Sequence, residues 1–146
     1  MSVTPSIFKA YDVRGIYPDE FDESVAELIG QAFVTYLNAK RLAVARDMRL
    51  SSNSLAAAFI EGARTHGADI VDYGLASTDM LYYGVSHDKH DGGAMITASH
   101  NPSDDNGIKF FRHDGYKLDD TIEQQIETLV FTGEIEHVRP TAGEIG

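Results

Sequence analysis

Between Asp22 and Asn38 the apolar residues Val25, Leu28, Ile29, Ala32, Phe33, Tyr36 and Leu37 recur at spacings of three and four, which is one apolar face of a helix. Asp22 is placed to cap it, and the acidic residues that follow suit the positive end of the helix dipole. Leu42 to Ala45 is a short apolar run and reads as a buried strand, ending in a polar loop from Arg46 to Ser52. Ser52 or Asn53 would cap a second helix with Leu55, Ala58, Phe59, Gly62 and Ala63 on its buried face and Gly67 as its stop. Ala68 to Gly74 reads as the next strand, Met80 to Ser86 as a short helix, and Gly93 to Ser99 as a strand that Asn101-Pro102 cannot continue.

The flanks are less regular. Residues 1–6 read as a disordered lead and Ile7 to Tyr11 as a short strand, followed by a turn that Gly15 permits and by Pro18 to Glu20 leading into the first helix. Asp104 to Gly107 reads as a turn, because Asn-Gly favours tight hairpins. Ile108 to Phe111 is then a strand, a second turn surrounds Asp114-Gly115, and a last helix from Asp120 to Phe131 presents Ile122, Ile126, Leu129 and Val130. Beyond Gly133 the chain turns polar and stops as though cut from something longer. Strands alternating with helices predict one α/β domain over residues 1–146, a three-layer α/β/α sandwich. The strand after Asn106-Gly107 would run antiparallel, so the sheet is expected to be mixed and mostly parallel.

Composition narrows the function classes. At 146 residues the chain is one domain with room for a core. It has no cysteine, which removes disulfides, thiolate metal sites and cysteine nucleophiles. The net charge of −11 disfavours nucleic acid, and no apolar run approaches a membrane span, so a cytoplasmic location is the default. An acidic protein still accommodates a small anion where a few cations converge. Lys9, Arg14, Arg46, Arg49 and Lys109 lie in or beside loop-like segments, while much of the acid falls at 19–27 and 119–136.

Ser99 and His100 stand where an apolar strand gives way to a loop, and the carboxyl ends of strands are where open α/β sheets bind ligands. A serine hydrolase is disfavoured, because Thr97-Ala98-Ser99-His100-Asn101 lacks the flanking glycines of a nucleophile elbow and adjacent side chains rarely face one another. Arginine forks grip phosphate oxygens and lysine adds a mobile charge and a proton, so Arg14, Arg46, Arg49 and Lys109 point to a phosphate-handling loop. Taken singly, each is more commonly a surface residue. His87 and His90 share a helical face, but no third metal ligand is evident and a solvated surface explains them. Tyr82 and Tyr83 read as packing residues, and His66, His113 and His137 carry no signal.

Thr97 to Pro102 followed by Asn106-Gly107-Ile108-Lys109 resembles the phosphoserine loop of the α-D-phosphohexomutases. Phe8 to Gly15 resembles the N-terminal signature of the phosphomannomutase/phosphoglucomutase branch, and Arg46 to Ser51 is similar to that family's second loop. The resemblance implies that Ser99 carries a phosphate and passes it to a hexose monophosphate, mannose or glucose 1- or 6-phosphate, through a hexose 1,6-bisphosphate. It implies Mg²⁺ bound through the serine phosphate. Lys109 and His100 match residues of proton transfer and phosphoserine support, Tyr11 and Arg14 line the same site, and Arg46 and Arg49 are weaker matches. Only the first of the family's four domains is matched. The Asp-Gly-Asp-x-Asp loop that supplies metal ligands, the sugar-recognition loop and the C-terminal phosphate loop are absent, so the missing domains of the same polypeptide are expected partners and these residues alone are expected to be inactive. The opening Phe8-Lys9-Ala10-Tyr11-Asp12 disfavours phosphoglucosamine mutase. A binding module of the same fold, without catalysis, is the alternative.

Overall fold

A computed structural model describes residues 5–8, 13–97, 105–112, 126–130 and 145. After a single 3-10 turn at Pro5–Ile7 come β1 (Val13–Ile16), α1 (Glu23–Leu37), β2 (Arg41–Arg46), α2 (Ser52–Thr65), β3 (Asp69–Leu75), α3 (Thr78–His87), β4 (Gly92–Ile96) and β5 (Asp105–Arg112). The strands form one sheet in the order β1-β5-β4-β2-β3. β2 pairs in parallel with β3 and β4, whereas β5 runs antiparallel to both β4 and β1. Four strands therefore share a direction and β5 opposes them, which is the mixed, mostly parallel sheet expected.

Strand alternation sorts the core into two layers. Leu42, Val44, Ala94, Ile96, Ile108 and Phe110 face α1 and α2, and Ala43, Ala45, Met95 and Phe111 face α3 through Leu81 and Val85. Covered on both sides, β2 and β4 read as unbroken apolar runs instead of alternating ones. Phe33 of α1 sits at the centre of the thicker layer, with its ring 6.2 Å from Phe59 of α2 and 4.9 Å from Phe110 of β5. Helices α1 and α2 meet at two glycines: a Cβ on Gly30 would run into the Phe59 carbonyl, and one on Gly62 into the Glu27 carbonyl.

The helix ends follow local chemistry. Asp22 accepts from the Val25 amide at 3.0 Å, Asn38 closes α1 in the left-handed region (φ 49°), and Gly67 follows α2 at φ 96°. Ser77 caps α3 by accepting from the Met80 amide at 3.1 Å, so the helix starts at Thr78, two residues earlier than the apolar pattern suggests.

Several expectations are corrected. Asn106-Gly107 is not a hairpin turn: both residues lie inside β5, where Gly107 pairs with Arg14 and Asn106 with Gly15. The glycine is needed for close approach, since a Cβ there would strike the Val13 carbonyl. The segment around Gly15 is not a turn but β1. Gly15 faces the core, and a Cβ there would come within 2.9 Å of Ile7. The disorder expected over residues 1–6 does not hold in their described part, because Pro5–Ile7 forms a turn whose Ile7 joins the core. The strand expected over Ile7 to Tyr11 reduces, in its described part, to a bridge between Phe8 and Val13. The strand expected over Gly93 to Ser99 ends at Ile96. Ser51, not Ser52 or Asn53, holds the cap position of α2 and makes no side-chain cap bond; its hydroxyl accepts from Asn106, while the Ser52 hydroxyl donates to Asp47. The turn at Asp114-Gly115 and most of the last helix lie outside the described residues. Residues 126–130 are helical and place Ile126 and Val130 in the α1/α2 layer.

Candidate functional site

The carboxyl edge of the sheet is where the chemistry-bearing residues gather. Arg46, Ile96, Ile108 and Val13 align as one row across β2, β4, β5 and β1. Arg46 is therefore the last residue of its strand, and the chain leaves β4 one residue beyond this row, heading toward Ser99. Arg14 sits one step past the row, opposite Gly107, and Lys109 one step before it, opposite Met95. Alternation places Arg14 and Lys109 on the α3 face, because their neighbours Val13, Ile108 and Phe110 point into the α1/α2 layer. By the same rule Arg46 belongs to the opposite face, with Val44 and Ile96. The four cations thus share an edge, yet only Arg14 and Lys109 share a face. Arg14 is the second residue of β1, near the start of its strand, whereas Lys109 lies in the middle of β5 and away from a loop. Ser99, His100 and Tyr11 lie outside the described residues.

Arg49 follows in the loop after β2 and acts there as a strut. Its Nε donates to Asp47 Oδ2 at 3.2 Å, and its Nη1 donates to the Asp105 carbonyl at 3.2 Å, joining this loop to the first residue of β5. The side chain is only 13 % exposed.

Asp47, which the sequence reading passed over, is the hub of the edge. Oδ1 accepts from the Arg49 amide at 3.1 Å and from the Ser52 hydroxyl at 2.5 Å. Oδ2 accepts from Arg49 Nε and from the Thr97 hydroxyl at 2.7 Å. The Asp47 amide in turn donates to the Ile96 carbonyl at 3.1 Å. On the other side, Asn106 Nδ2 donates to the hydroxyls of Ser51 (2.8 Å) and Ser52 (2.9 Å), and its Oδ1 accepts from the Gly107 amide. Ser52 and Asn106 are fully buried and Thr97 is 5 % exposed. The available signal was an aspartate flanked by arginines and followed by two serines, but nothing in the spacing reveals partners about fifty residues away. Exposed Met48, Leu50, Leu75 and Met80 surround the same edge.

A metal bound through a serine phosphate needs protein carboxylates. Among the described residues no group of three His, Asp or Glu side chains is assembled to hold an ion. Asp47, the carboxylate at this edge, has both oxygens occupied by protein donors. The described residues do not by themselves fit Mg²⁺.

His87 at the end of α3 and His90 just beyond it are not a metal pair. His87 is exposed, beside Asp88 at 3.0 Å and stacked on Tyr83 at 4.9 Å. His90 is buried, contrary to the solvated surface expected, and its Nε2 lies 3.2 Å from the Tyr73 hydroxyl, which donates to Asp88 at 2.7 Å. Burial, with Arg41 nearby, holds the His90 pKa below the usual imidazole value against the pull of Asp88 and Asp91. Burial and the Asp88 carboxylate push Tyr73 up to about 12. Tyr82 and Tyr83 are exposed on α3 and not packing residues of the core, although Tyr82 meets the edge of Phe111 at 6.4 Å.

Comparison with known proteins gives this edge its context. Residues 5–137 match the model of the phosphoglucomutase/phosphomannomutase alpha/beta/alpha domain I family. A phosphoglucosamine mutase from Symbiobacterium thermophilum is 40% identical over 97% of this chain and 33% of its own length. A phosphomannomutase from Klebsiella pneumoniae is 37% identical over 91% of this chain and 85% of its own length. The structure of a phosphoglucomutase/phosphomannomutase family protein from Burkholderia thailandensis superposes with a TM-score of 0.88 at 32% identity, covering 99% of this chain and 33% of that one. The chain therefore spans about a third of the length of most relatives it matches, and the short Klebsiella protein is matched over nearly its whole extent. With this sheet order, this edge and these relatives, the chain belongs to the phosphoglucomutase/phosphomannomutase family, as its alpha/beta/alpha domain I.

Proposed function

We propose that this domain carries the phosphoryl group of a cytoplasmic phosphohexomutase, on Ser99, and that the enzyme interconverts hexose 1- and 6-phosphates of the mannose or glucose type. The observation that carries the reading is that Arg14 and Lys109 share one face of the sheet edge at which β4 ends, three residues before Ser99 in sequence, with Arg46 and Arg49 at the same edge. In the forward half-reaction the phosphoryl group leaves the Ser99 oxygen for a hexose hydroxyl, whose proton passes to a nearby base. The bisphosphorylated sugar then reorients and returns its other phosphate to Ser99. Positioning and charge neutralisation carry most of the catalysis in such transfers.

Arg14 and Lys109, on one face of the edge, suit the direct neutralisation of phosphate, with Lys109 and His100 as the groups that hold or move protons and Tyr11 lining the site. Lys109 would need a lowered pKa to act as a base. Arg49 acts by holding the loop, through Asp47 and the Asp105 carbonyl. Mg²⁺ would lower the charge on the transferring group, and since the described residues do not form its site, its protein ligands are assigned to segments matching the other two thirds of the longer relatives. The same segments would supply the sugar specificity, which leaves mannose and glucose equal candidates here. The phosphoglucosamine mutase among the relatives keeps an amino sugar as a substrate to test beside them.

Peptide mass analysis of the polypeptide as its gene encodes it should find one phosphate on Ser99, restored by glucose 1,6-bisphosphate after phosphatase treatment. An unmodified Ser99 that also resists the bisphosphate would leave the non-catalytic binding module as the better reading.

A further inference from the structure

We infer that Asp47 is a positioning residue for the segment that carries Ser99: its single carboxylate ties together the two ends of residues 98–104. This rests on the phosphoserine reading above for its catalytic meaning, but the contacts stand without it. The chain leaves β4 at Thr97 and re-enters the sheet at Asp105. Thr97 donates its hydroxyl directly to Asp47 Oδ2, while Asn106 reaches Asp47 Oδ1 through the Ser52 hydroxyl, which accepts from Asn106 and donates to the carboxylate. Arg49 adds a second link, from Asp47 Oδ2 to the Asp105 carbonyl. The Thr97 amide also donates to the Gly107 carbonyl at 2.9 Å, so the two flanks touch where the carboxylate clamps them.

The chemistry demands an acceptor-only group. The four described donors, two on each oxygen, are those a carboxylate satisfies and a carboxamide cannot, since Asn would turn an NH₂ toward hydroxyl and guanidinium donors. Bonds to an ionised acceptor are shorter and stronger than neutral ones, and here they act among residues largely withdrawn from water. A phosphoryl carrier tolerates little play: displacement of about 1 Å costs on the order of a hundredfold in rate.

The test has two arms. In the 146-residue chain, amide hydrogen exchange is followed over a peptide spanning 97–107 for wild type, Asp47→Asn, Thr97→Val and the double variant. Asp47→Asn and Thr97→Val should each speed exchange there by about tenfold, and the double variant no more than the larger single, because the Thr97–Asp47 bond is lost in both. Ser77→Ala, which removes the α3 cap and touches none of these residues, should lower the melting temperature without changing this peptide's relative exchange. Wild-type exchange already at the unstructured rate, an Asp47→Asn pattern no different from wild type, or a uniform rise across the whole sheet would each overturn the clamp. Should Asp47→Asn not fold, Thr97→Val, which keeps the carboxylate and loses only the hydroxyl, decides by the same criterion.

In the gene-encoded polypeptide, phosphate transfer from glucose 1,6-bisphosphate to Ser99 should slow about tenfold to a hundredfold in Asp47→Asn, with the half-saturating bisphosphate concentration unchanged. An unchanged rate overturns the positioning role. A wild type that takes up no phosphate at Ser99 overturns the phosphoserine reading instead, and the clamp is then judged on exchange alone.

Discussion

Asp47 and Ser52 show how one side chain acquires a meaning that its neighbours in sequence do not announce. Ser52 looks like a helix cap, yet its hydroxyl lies between Asn106 and Asp47, and α2 starts with no side-chain cap at all. At this scale His90 carries a separate prediction. Its pKa is lowered in the folded chain, so the unfolded chain binds the extra proton more readily. A base of this kind stabilises the fold fully above its unfolded pKa of about 6.5 and progressively less as the pH falls toward its folded value. Urea unfolding at pH 7.5 and pH 5.5 should therefore show lower stability at the acid end, and His90→Gln should flatten that difference. A slope that survives the substitution would assign it to other groups. Glu23 and Asp88, whose carboxyls are held low by hydrogen bonds, titrate in a more acid window and serve as the internal check.

Among the elements, the α1/α2 pair and the β1/β5 pair depend on the same device, a glycine where two backbones nearly touch. At Gly62 the atom in the way is the Glu27 carbonyl, and at Gly107 it is the Val13 carbonyl. Backbone cannot step aside as a flexible side chain does, so Gly62→Ala should cost about 1–3 kcal/mol despite alanine's better helix propensity. Gly107→Ala should cost a similar amount, about 1–3 kcal/mol, and loosen β1 first, which selective exchange of the Val13 and Gly15 amides would reveal. An alanine at Gly62 that stabilised the chain would mean that α1 and α2 are further apart than described. The α3 cap belongs to this scale too: Ser77→Ala should cost about 1 kcal/mol by thermal unfolding. Helix placement was legible for a local reason, since Asp22, Asn38 and Gly67 sit beside the elements they end. The β1 strand was not legible, because four residues with a glycine among them form a strand only when β5 is beside them.

At the scale of the whole molecule, the described residues form a two-sided core and an edge furnished with cations, the Arg49 strut and the Asp47 hub. It matches a third of the length of the longer relatives, and the described residues assemble no metal site. The 146 residues alone should therefore show no mutase turnover above a Ser99→Ala control with glucose 1-phosphate as substrate. Turnover by the pure chain would overturn the assignment of the metal ligands and sugar contacts to other segments. Among the described residues no helix is long and apolar enough to cross a membrane.

The sequence by itself determined the α/β alternation, the helices and the ends of α1 and, through its resemblance to the phosphohexomutases, the family. These follow from interactions between residues a few positions apart, or from motifs read as strings. Only the tertiary structure decided that Asn106-Gly107 is a strand, that Arg46 lies on the face opposite Arg14 and Lys109, and that Asp47 joins the two ends of the Ser99 segment. Each of those depends on strand order and register. They bring Thr97 and Asn106 against the loop after β2, and no local propensity encodes a contact between residues about fifty positions apart.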